Sequence, residues 1–341
     1  MSIHRSILTV ILVPLLAAHL VVSAYASKPT LKFRPDGSFK IVQFTDTQDG
    51  ANIDPRTIAA MTRILDSEKP DFVVITGDCV ATGECKTLDE LKRAIDNIAQ
   101  PMETRGISWA VTFGNHDRDN LSQIGISQEE MLGLYMKYRN NINKKSLRDV
   151  FGAGNANLLI SGRTSGKPAF GIWLVDSNAY APKKINEQKM EGYDWIHFTQ
   201  VKWYWDTSVA LEKRYGREIP SLMFFHIPLQ EYRDVIQAGK LTGEKNEECC
   251  CSPVNSGLFA AALERGDVKG IFVGHDHINT LVGDWYGIKL GYSGNVGYGT
   301  YGLDSKDDIE KNRLRGARVF TLQESDPANF RTRYVTNDSL K

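Results

Sequence analysis

The sequence offers a polyanion little to hold. Its 41 Lys and Arg are matched by 41 Asp and Glu, for a formal charge of zero. No general attraction to nucleic acid or to an anionic membrane follows, and the expected partner is a small molecule, not nucleic acid. Cysteine is scarce, with five in 341 residues and none at zinc-ribbon spacing, which excludes a disulfide scaffold. Internal repeats, Pro/Ser-rich linkers and low-complexity tracts are also absent, so nothing divides the chain into domains. With 42% apolar residues it can build an ordinary core.

Only one segment is continuously apolar, Ile7 to Val22, preceded by His4 and Arg5 and followed by Ser23-Ala24-Tyr25-Ala26. A basic start, a short greasy run and an Ala-x-Ala ending predict a signal peptide over residues 1–26, cleaved after about Ala26. The alternative is a membrane anchor, but the run is short for a span of roughly 20 residues and contains His19. The expectation is a secreted or periplasmic protein, not stably inserted in a membrane after cleavage, with a single domain over 27–341. Export permits disulfides, and a bridge from the Cys85 loop to the run Cys249-Cys250-Cys251 is one pairing open to the five cysteines, Cys79 included.

Strand-like and helix-like patterns alternate along the rest of the chain. Phe39–Phe44, Phe72–Ile75, Trp109–Thr112, Phe170–Val175, Leu222–Phe225 and Ile271–Val273 read as strands. Asp54-Pro55 opens a helix, and Thr87-Leu88-Asp89-Glu90 and Ser127-Gln128-Glu129-Glu130 are capping boxes that open two more. A Trp-rich helix is predicted from Asp194 to about Tyr215, with Trp195, Trp203 and Trp205 as packing residues and His197 on the surface. Another helix is expected over 256–265. The alternation predicts an α/β layered fold. The polar stretch Gly239 to Pro253 reads as a surface excursion.

Five of these strands end in the same kind of tip: Thr45-Asp46, Gly77-Asp78, Gly114-Asn115-His116-Asp117, His226, and Gly274-His275-Asp276-His277. Strand ends in α/β sheets lie side by side, so distant segments can deliver polar groups to one point. Carboxylate, amide oxygen and imidazole suit first-row metals, not calcium and not a thiolate zinc site. Singly, each tip is more often a turn or cap residue. The ordered set is far more specific, and it uses four of the five histidines that follow the signal segment.

The set resembles the calcineurin-like metallophosphoesterase superfamily, and within it the purple acid phosphatase-related single-domain branch of plants, fungi and bacteria. The likeness extends to Tyr193-Asp194-Trp195-Ile196, Phe225-His226-Ile227-Pro228-Leu229, Asn255-Ser256-Gly257 and Arg315-Gly316-Ala317-Arg318-Val319. It implies a four-layer α-β-β-α sandwich of two mixed sheets, with a dinuclear site at the strand ends. It also implies two divalent or mixed-valence ions (Fe, Mn or Zn) held by Asp46, Asp78 and His277 on one side and Asp78, Asn115, His226 and His275 on the other. His116 is similar to the histidine that faces the leaving group, and Asp117 would orient its ring.

Two positions depart from the pattern. Gln48 stands where the superfamily has a ligand His, and Ala81 where the purple branch has a ligand Tyr. Gln48 can supply at most a weak amide oxygen. The activity implied is hydrolysis of phosphate monoesters of acid-phosphatase type by a hydroxide held between the two ions. Alternatives are a phosphodiesterase or nucleotidase with the same site, or a degenerate metal- or phosphate-binding protein. Tyr292, Tyr298 and Tyr301 either line the substrate mouth or decorate surface turns.

Overall fold

The computed structural model describes residues 27–303 and 313–340; the segment read as a signal lies outside them. A two-residue strand, β1 (Leu31–Lys32), leads into β2 (Ser38–Phe44). Side chains of β2 alternate as a strand requires: Phe39 and Ile41 enter one buried cluster, Val42 and Phe44 another. β3 (Phe72–Thr76) and β4 (Ser108–Thr112) pair in parallel beside it. The crossovers are α1 (Pro55–Glu68), capped by Asp54, and α2 (Leu88–Glu103), opened by the Thr87/Glu90 box. Met61, Ile64 and Leu65 of α1 and Leu91, Ile95 and Ile98 of α2 share a cluster with Val42, Phe44, Val73 and Ile75. α3 (Leu121–Ile124) and α4 (Gln128–Tyr135) follow, the latter with its Ser127/Glu130 box in place.

The second sheet begins with the antiparallel pair β5 (Ala156–Ser161) and β6 (Pro168–Leu174). A small hairpin, β7 (Lys184–Ile185) and β8 (Gln188–Lys189), precedes α5 (Phe198–Tyr215) and β9 (Ser221–Phe224). Then come α6 (Glu231–Ala238), β10 (Leu241–Thr242), α7 (Leu258–Arg265) and β11 (Val268–Val273). β12 (Val282–Trp285) and β13 (Ile288–Tyr292) complete this sheet, in the order β1-β5-β6-β9-β11-β13-β12-β10. The chain then returns to the first sheet as β14 (Gly316–Gln323) and β15 (Arg331–Thr336), giving β15-β14-β2-β3-β4.

The two sheets face each other across Phe39, Ile41, Phe72 and Val74 on one side and Ile172, Leu222, Phe224 and Phe272 on the other. Phe320 meets Phe224 and Phe272 edge to face at 5.4 and 4.6 Å, pairs that add about 0.5–1.5 kcal/mol each beyond burial. Helices α5, α6 and α7 cover the outer face of the larger sheet through Tyr204, Tyr232, Leu258 and Phe259. The result is the α-β-β-α order expected from the resemblance. No helix among the described residues is long and apolar enough to cross a membrane.

Several expectations need correction. Cys85 is buried against the helices of the smaller sheet and Cys249 and Cys251 against those of the larger, so both sheets separate them and no bridge joins them; all five cysteines are free. Helix α5 starts at Phe198, not Asp194, because Asn178 Nδ2 holds the Trp195 carbonyl at 2.7 Å and Gln200 Oε1 accepts from His197 N at 2.8 Å. Trp195 therefore precedes the helix. His197 is not a free surface group: its ring is stacked between Phe151 at 3.8 Å and Trp195 at 5.2 Å.

Candidate metal centre

Near their carboxyl ends the strands turn from apolar to polar on the face between the sheets. Gln43, Thr76 and Thr112 follow Ile41, Val74 and Ala110 on that face, all buried. Gln43 Nε2 donates to Thr76 Oγ1 at 2.9 Å and, across the sheets, to the Val273 carbonyl at 3.1 Å. These bonds tie the two sheets together where the five motif tips emerge.

Parallel neighbours β2, β3 and β4 deliver Asp46, Asp78 and Asn115, and parallel neighbours β9 and β11 deliver His226, His275 and His277. Asp46, Gln48, Asp78 and His275 all hold left-handed backbone, with φ of 52°, 39°, 49° and 74°. Such conformations cost of order 1–3 kcal/mol each for non-glycine residues and persist where surrounding structure enforces them. Glycine makes the enforcement possible. A Cβ on Gly114 would collide with Asp78 Oδ1, and one on Gly274 with Thr45 Oγ1.

Five of the six side chains meet in one place, and Asn115 is buried one residue before His116, whose backbone N bonds Asp78. His226 Nε2 is 3.1 Å from Asp78 Oδ2 and 4.0 Å from Asp46 Oδ1, while His277 Nε2 is 3.3 Å from Asp46 Oδ1. Ligand atoms of Asp78, His226 and His275 lie within 4.8 Å of one another, all buried. His226 Nδ1 is 2.7 Å from the Thr76 carbonyl, which can only accept, so Nδ1 carries a proton and Nε2 faces the carboxylates. Three buried atoms here have no partner: Asp46 Oδ1, Asn115 Oδ1 and His275 Nε2. Asn115 Oδ1 and His275 Nε2, with Asp46 Oδ1 meeting only the His277 imidazole at 3.3 Å, fit a cation.

Electrostatics follow from the crowding. Burial alone would lower His226, but Asp78 and Asp46 outweigh it and raise its imidazole to about 10. Burial and the charge of His226 push His275 down to about 3. Asp78, despite burial, is held far below the ordinary carboxylate range by His226, His116 and His275.

His116 sits at the rim, its backbone N donating to Asp78 Oδ1 at 2.8 Å. The expected role of Asp117 does not hold. Its carboxylate accepts from the backbone N–H groups of Cys79, Val80 and Gly114 at 2.9, 3.1 and 2.9 Å and so pins two ligand loops together. The ring of His116 is oriented instead by Asp119, whose Oδ2 is 2.8 Å from Nδ1, with Thr82 Oγ1 at 2.8 Å from the same nitrogen. A 3₁₀ turn over His116–Arg118 brings position 119 under the ring, and a strand-and-helix reading gives no signal of that. Gln48 turns its amide nitrogen to Asp78 Oδ2 at 3.0 Å. The methyl of Ala81 offers no ligand atom.

An open cleft of about 240 Å³ leads to the site past His116, Tyr193, Glu247, Cys250 and Tyr301. Of the three tyrosines considered, only Tyr301 lines this mouth, stacked on the His277 ring at 4.0 Å. Tyr292 is buried, and Tyr298 lies against Arg56 and Arg315. The 239–253 stretch is not a mere surface excursion, since its Glu247 and Cys250 reach the cleft. A further tip escaped the sequence reading: after β6, Ser177 Oγ accepts from Ile227 N at 2.9 Å and Asp176 Oδ2 from Arg118 at 2.9 Å.

A model of the calcineurin-like phosphoesterase family matches residues 39–279. The chain belongs to this family. Among curated relatives of this chain, "Probable inactive purple acid phosphatase 14" of Arabidopsis thaliana is 33% identical, covering 87% of this chain and 80% of its own. "Phosphatase DCR2" of Saccharomyces cerevisiae is 30% identical over 72% of this chain but only 45% of its own length. A dimetal phosphatase from Danio rerio shares the fold with a TM-score of 0.56 at 13% identity, over 88% of this chain and 96% of that one. The chain therefore has purple acid phosphatase-related homologues, some of which carry "inactive" in their names.

Proposed function

We propose that the protein is a metal-dependent phosphoesterase that hydrolyses small phosphate monoesters, using two metal ions, in a secreted or periplasmic setting. One observation above all supports this: Asp46 Oδ1, Asn115 Oδ1 and His275 Nε2 stand buried without hydrogen-bond partners at the strand tips, and His275 lines the cleft. An unpaired buried polar atom costs about 1–3 kcal/mol, so a site with three of them is made for something that binds them. Asp46, Asp78 and His277 would hold one ion, and Asp78, Asn115, His226 and His275 the other, with Asp78 shared. When bound, such ions (Fe, Mn or Zn) neutralise phosphate oxygens and make water acidic enough to attack at neutral pH.

The chain's own groups do the rest. Thr76 and Thr45 orient ligands, the former through the His226 Nδ1 bond and the latter by donating to Asp46 Oδ2 at 2.6 Å. Asp119 holds His116 by Nδ1, leaving Nε2 free to give a proton to the departing oxygen. The N-terminal sequence pattern alone supports export.

A second reading has its own support. Gln48 and Ala81 remove two strong donors, and the similar plant proteins are named as inactive. On that reading the site binds metal or phosphate with little turnover. Protein stripped with chelator and reloaded with Mn²⁺, Zn²⁺ or Fe²⁺ should be assayed on a panel of phosphomonoesters and diesters. Turnover of monoesters above diesters supports the first reading. Bound metal without turnover of any ester establishes the second.

A further inference from the structure

The mouth of the cleft is oddly charged for a site that receives phosphate. Among its described lining residues none is Lys or Arg, while Glu247 stands at the rim. That carboxylate is built in. Its Oε1 accepts from Ile278 N at 2.7 Å and its Oε2 from Tyr301 OH at 2.8 Å. Its backbone is stitched to Asn279, with Glu247 N donating to Asn279 Oδ1 at 3.1 Å and Asn279 Nδ2 to the Glu247 carbonyl at 3.0 Å. Lys245, on the same stretch, pairs with Glu248, and Arg313 pairs with Glu244.

A fixed carboxylate repels an anionic substrate unless the substrate brings a compensating cation to it. Beside Glu247, Tyr301 is 44% exposed as a residue and, with one ring face stacked on His277, offers its other face as the kind of aromatic surface that attracts ammonium groups. Tyr193 lines the same cleft, edge-on to His275 at 4.4 Å, and Tyr180 stacks on it at 6.1 Å. The buried, unpartnered His275 Nε2 opens on this cleft as well, so a ligand is expected there on independent grounds.

We propose that the favoured substrates are phosphate monoesters of amino alcohols, with the phosphate at the strand tips and the ammonium of the leaving group against Glu247 and Tyr301. This rests on the phosphoesterase reading above and narrows it. The reaction consumes one water: the bond from phosphorus to the leaving oxygen breaks, one from phosphorus to the water oxygen forms, and a water proton ends on the amino alcohol. Substrates with further phosphates meet a mouth whose described lining holds no Lys or Arg, and are disfavoured.

The test compares phosphocholine with its uncharged isostere, 3,3-dimethylbutyl phosphate, on the metal-loaded full chain. Both kcat/KM and calorimetric affinity are measured, so the preference is readable even without turnover. We expect phosphocholine to be favoured roughly tenfold in both. Glu247→Gln keeps one acceptor oxygen for Ile278 N, turns the Tyr301 hydroxyl from donor to acceptor toward the amide NH2, and removes the charge; it should bring the ratio toward one. Equal values for the two esters in the wild type, or a ratio that survives Glu247→Gln, overturns the proposal. Absence of turnover on nitrophenyl phosphate would defeat the catalytic reading instead, with the affinity ratio still deciding this one.

Discussion

His116 Nδ1 lies 2.8 Å from Asp119 Oδ2, within one 3₁₀ turn, while Asp117, next in sequence to the histidine, spends its carboxylate on three backbone N–H groups. The two acids thus have separable functions. Asp119→Asn should reduce kcat for alkyl phosphates roughly 10–100-fold, with a smaller loss for nitrophenyl phosphate, whose leaving oxygen hardly needs a proton. Thermal stability should barely move. Asp117→Asn should instead destabilise the fold by about 1–3 kcal/mol, because a carboxylate bonded to three N–H groups is lost. If Asp117→Asn left stability intact and abolished leaving-group dependence, these assignments would be reversed.

Asp78 is the residue most of the site leans on, accepting from His116 N, Gln48 and His226. Asp78→Asn removes the one charge that both proposed ions share. Activity should disappear and metal content should fall, read by elemental analysis of dialysed protein. Turnover within tenfold of wild type at unchanged metal content rules out the shared-ligand assignment.

The position of Gln48 predicts a weak first ion. Its amide nitrogen is directed at Asp78 and Ala81 has no phenol, so fewer strong donors offset the cost of stripping water from a cation. Purified protein should be colourless, lose one metal on dialysis and recover with added Mn²⁺, Zn²⁺ or Fe²⁺. Gln48→His should tighten that site. A visible tyrosinate-to-iron band, or two metals that survive exhaustive dialysis of the wild type, sinks the idea.

Glu68, on α1, accepts from Arg333 at 2.7 Å and from Lys40 at 3.1 Å, joining helix to both neighbouring strands. Burial pushes its carboxyl up, but the two cations more than reverse this and hold it below the ordinary value. A depressed folded value means the contribution is full above the unfolded pKa of about 4.3 and is lost as pH falls through the folded one. Because Arg333 is 56% exposed, Glu68→Gln should cost only about 1–2 kcal/mol at pH 7. Urea denaturation should show the gap between wild type and variant shrinking by pH 3. A gap independent of pH would assign the effect to packing.

The sequence by itself carried six of the strands (β2, β3, β4, β6, β9 and β11), the capped helices and the order of ligand-bearing tips, because each is written in local signals: alternation, Ser/Thr-x-x-Glu boxes, and glycine beside a polar residue; the strands β5 and β12 to β15 were not among them. It also carried the family, since the ordered tips are a pattern along the chain. What it could not decide was which of several nearby groups meet. Asp117 and Asp119 have the same chemistry two residues apart, and only the 3₁₀ turn puts Asp119 beside the imidazole. Cys85 and Cys249 looked available to one another until the two sheets came between them. Glu247, in a polar stretch with no periodicity, became part of the cleft only through its bonds to Ile278 and Tyr301. Local conformation depends on a few neighbouring residues and is legible in sequence; a contact across 30 or more positions depends on packing of whole layers, and only the tertiary structure fixes it.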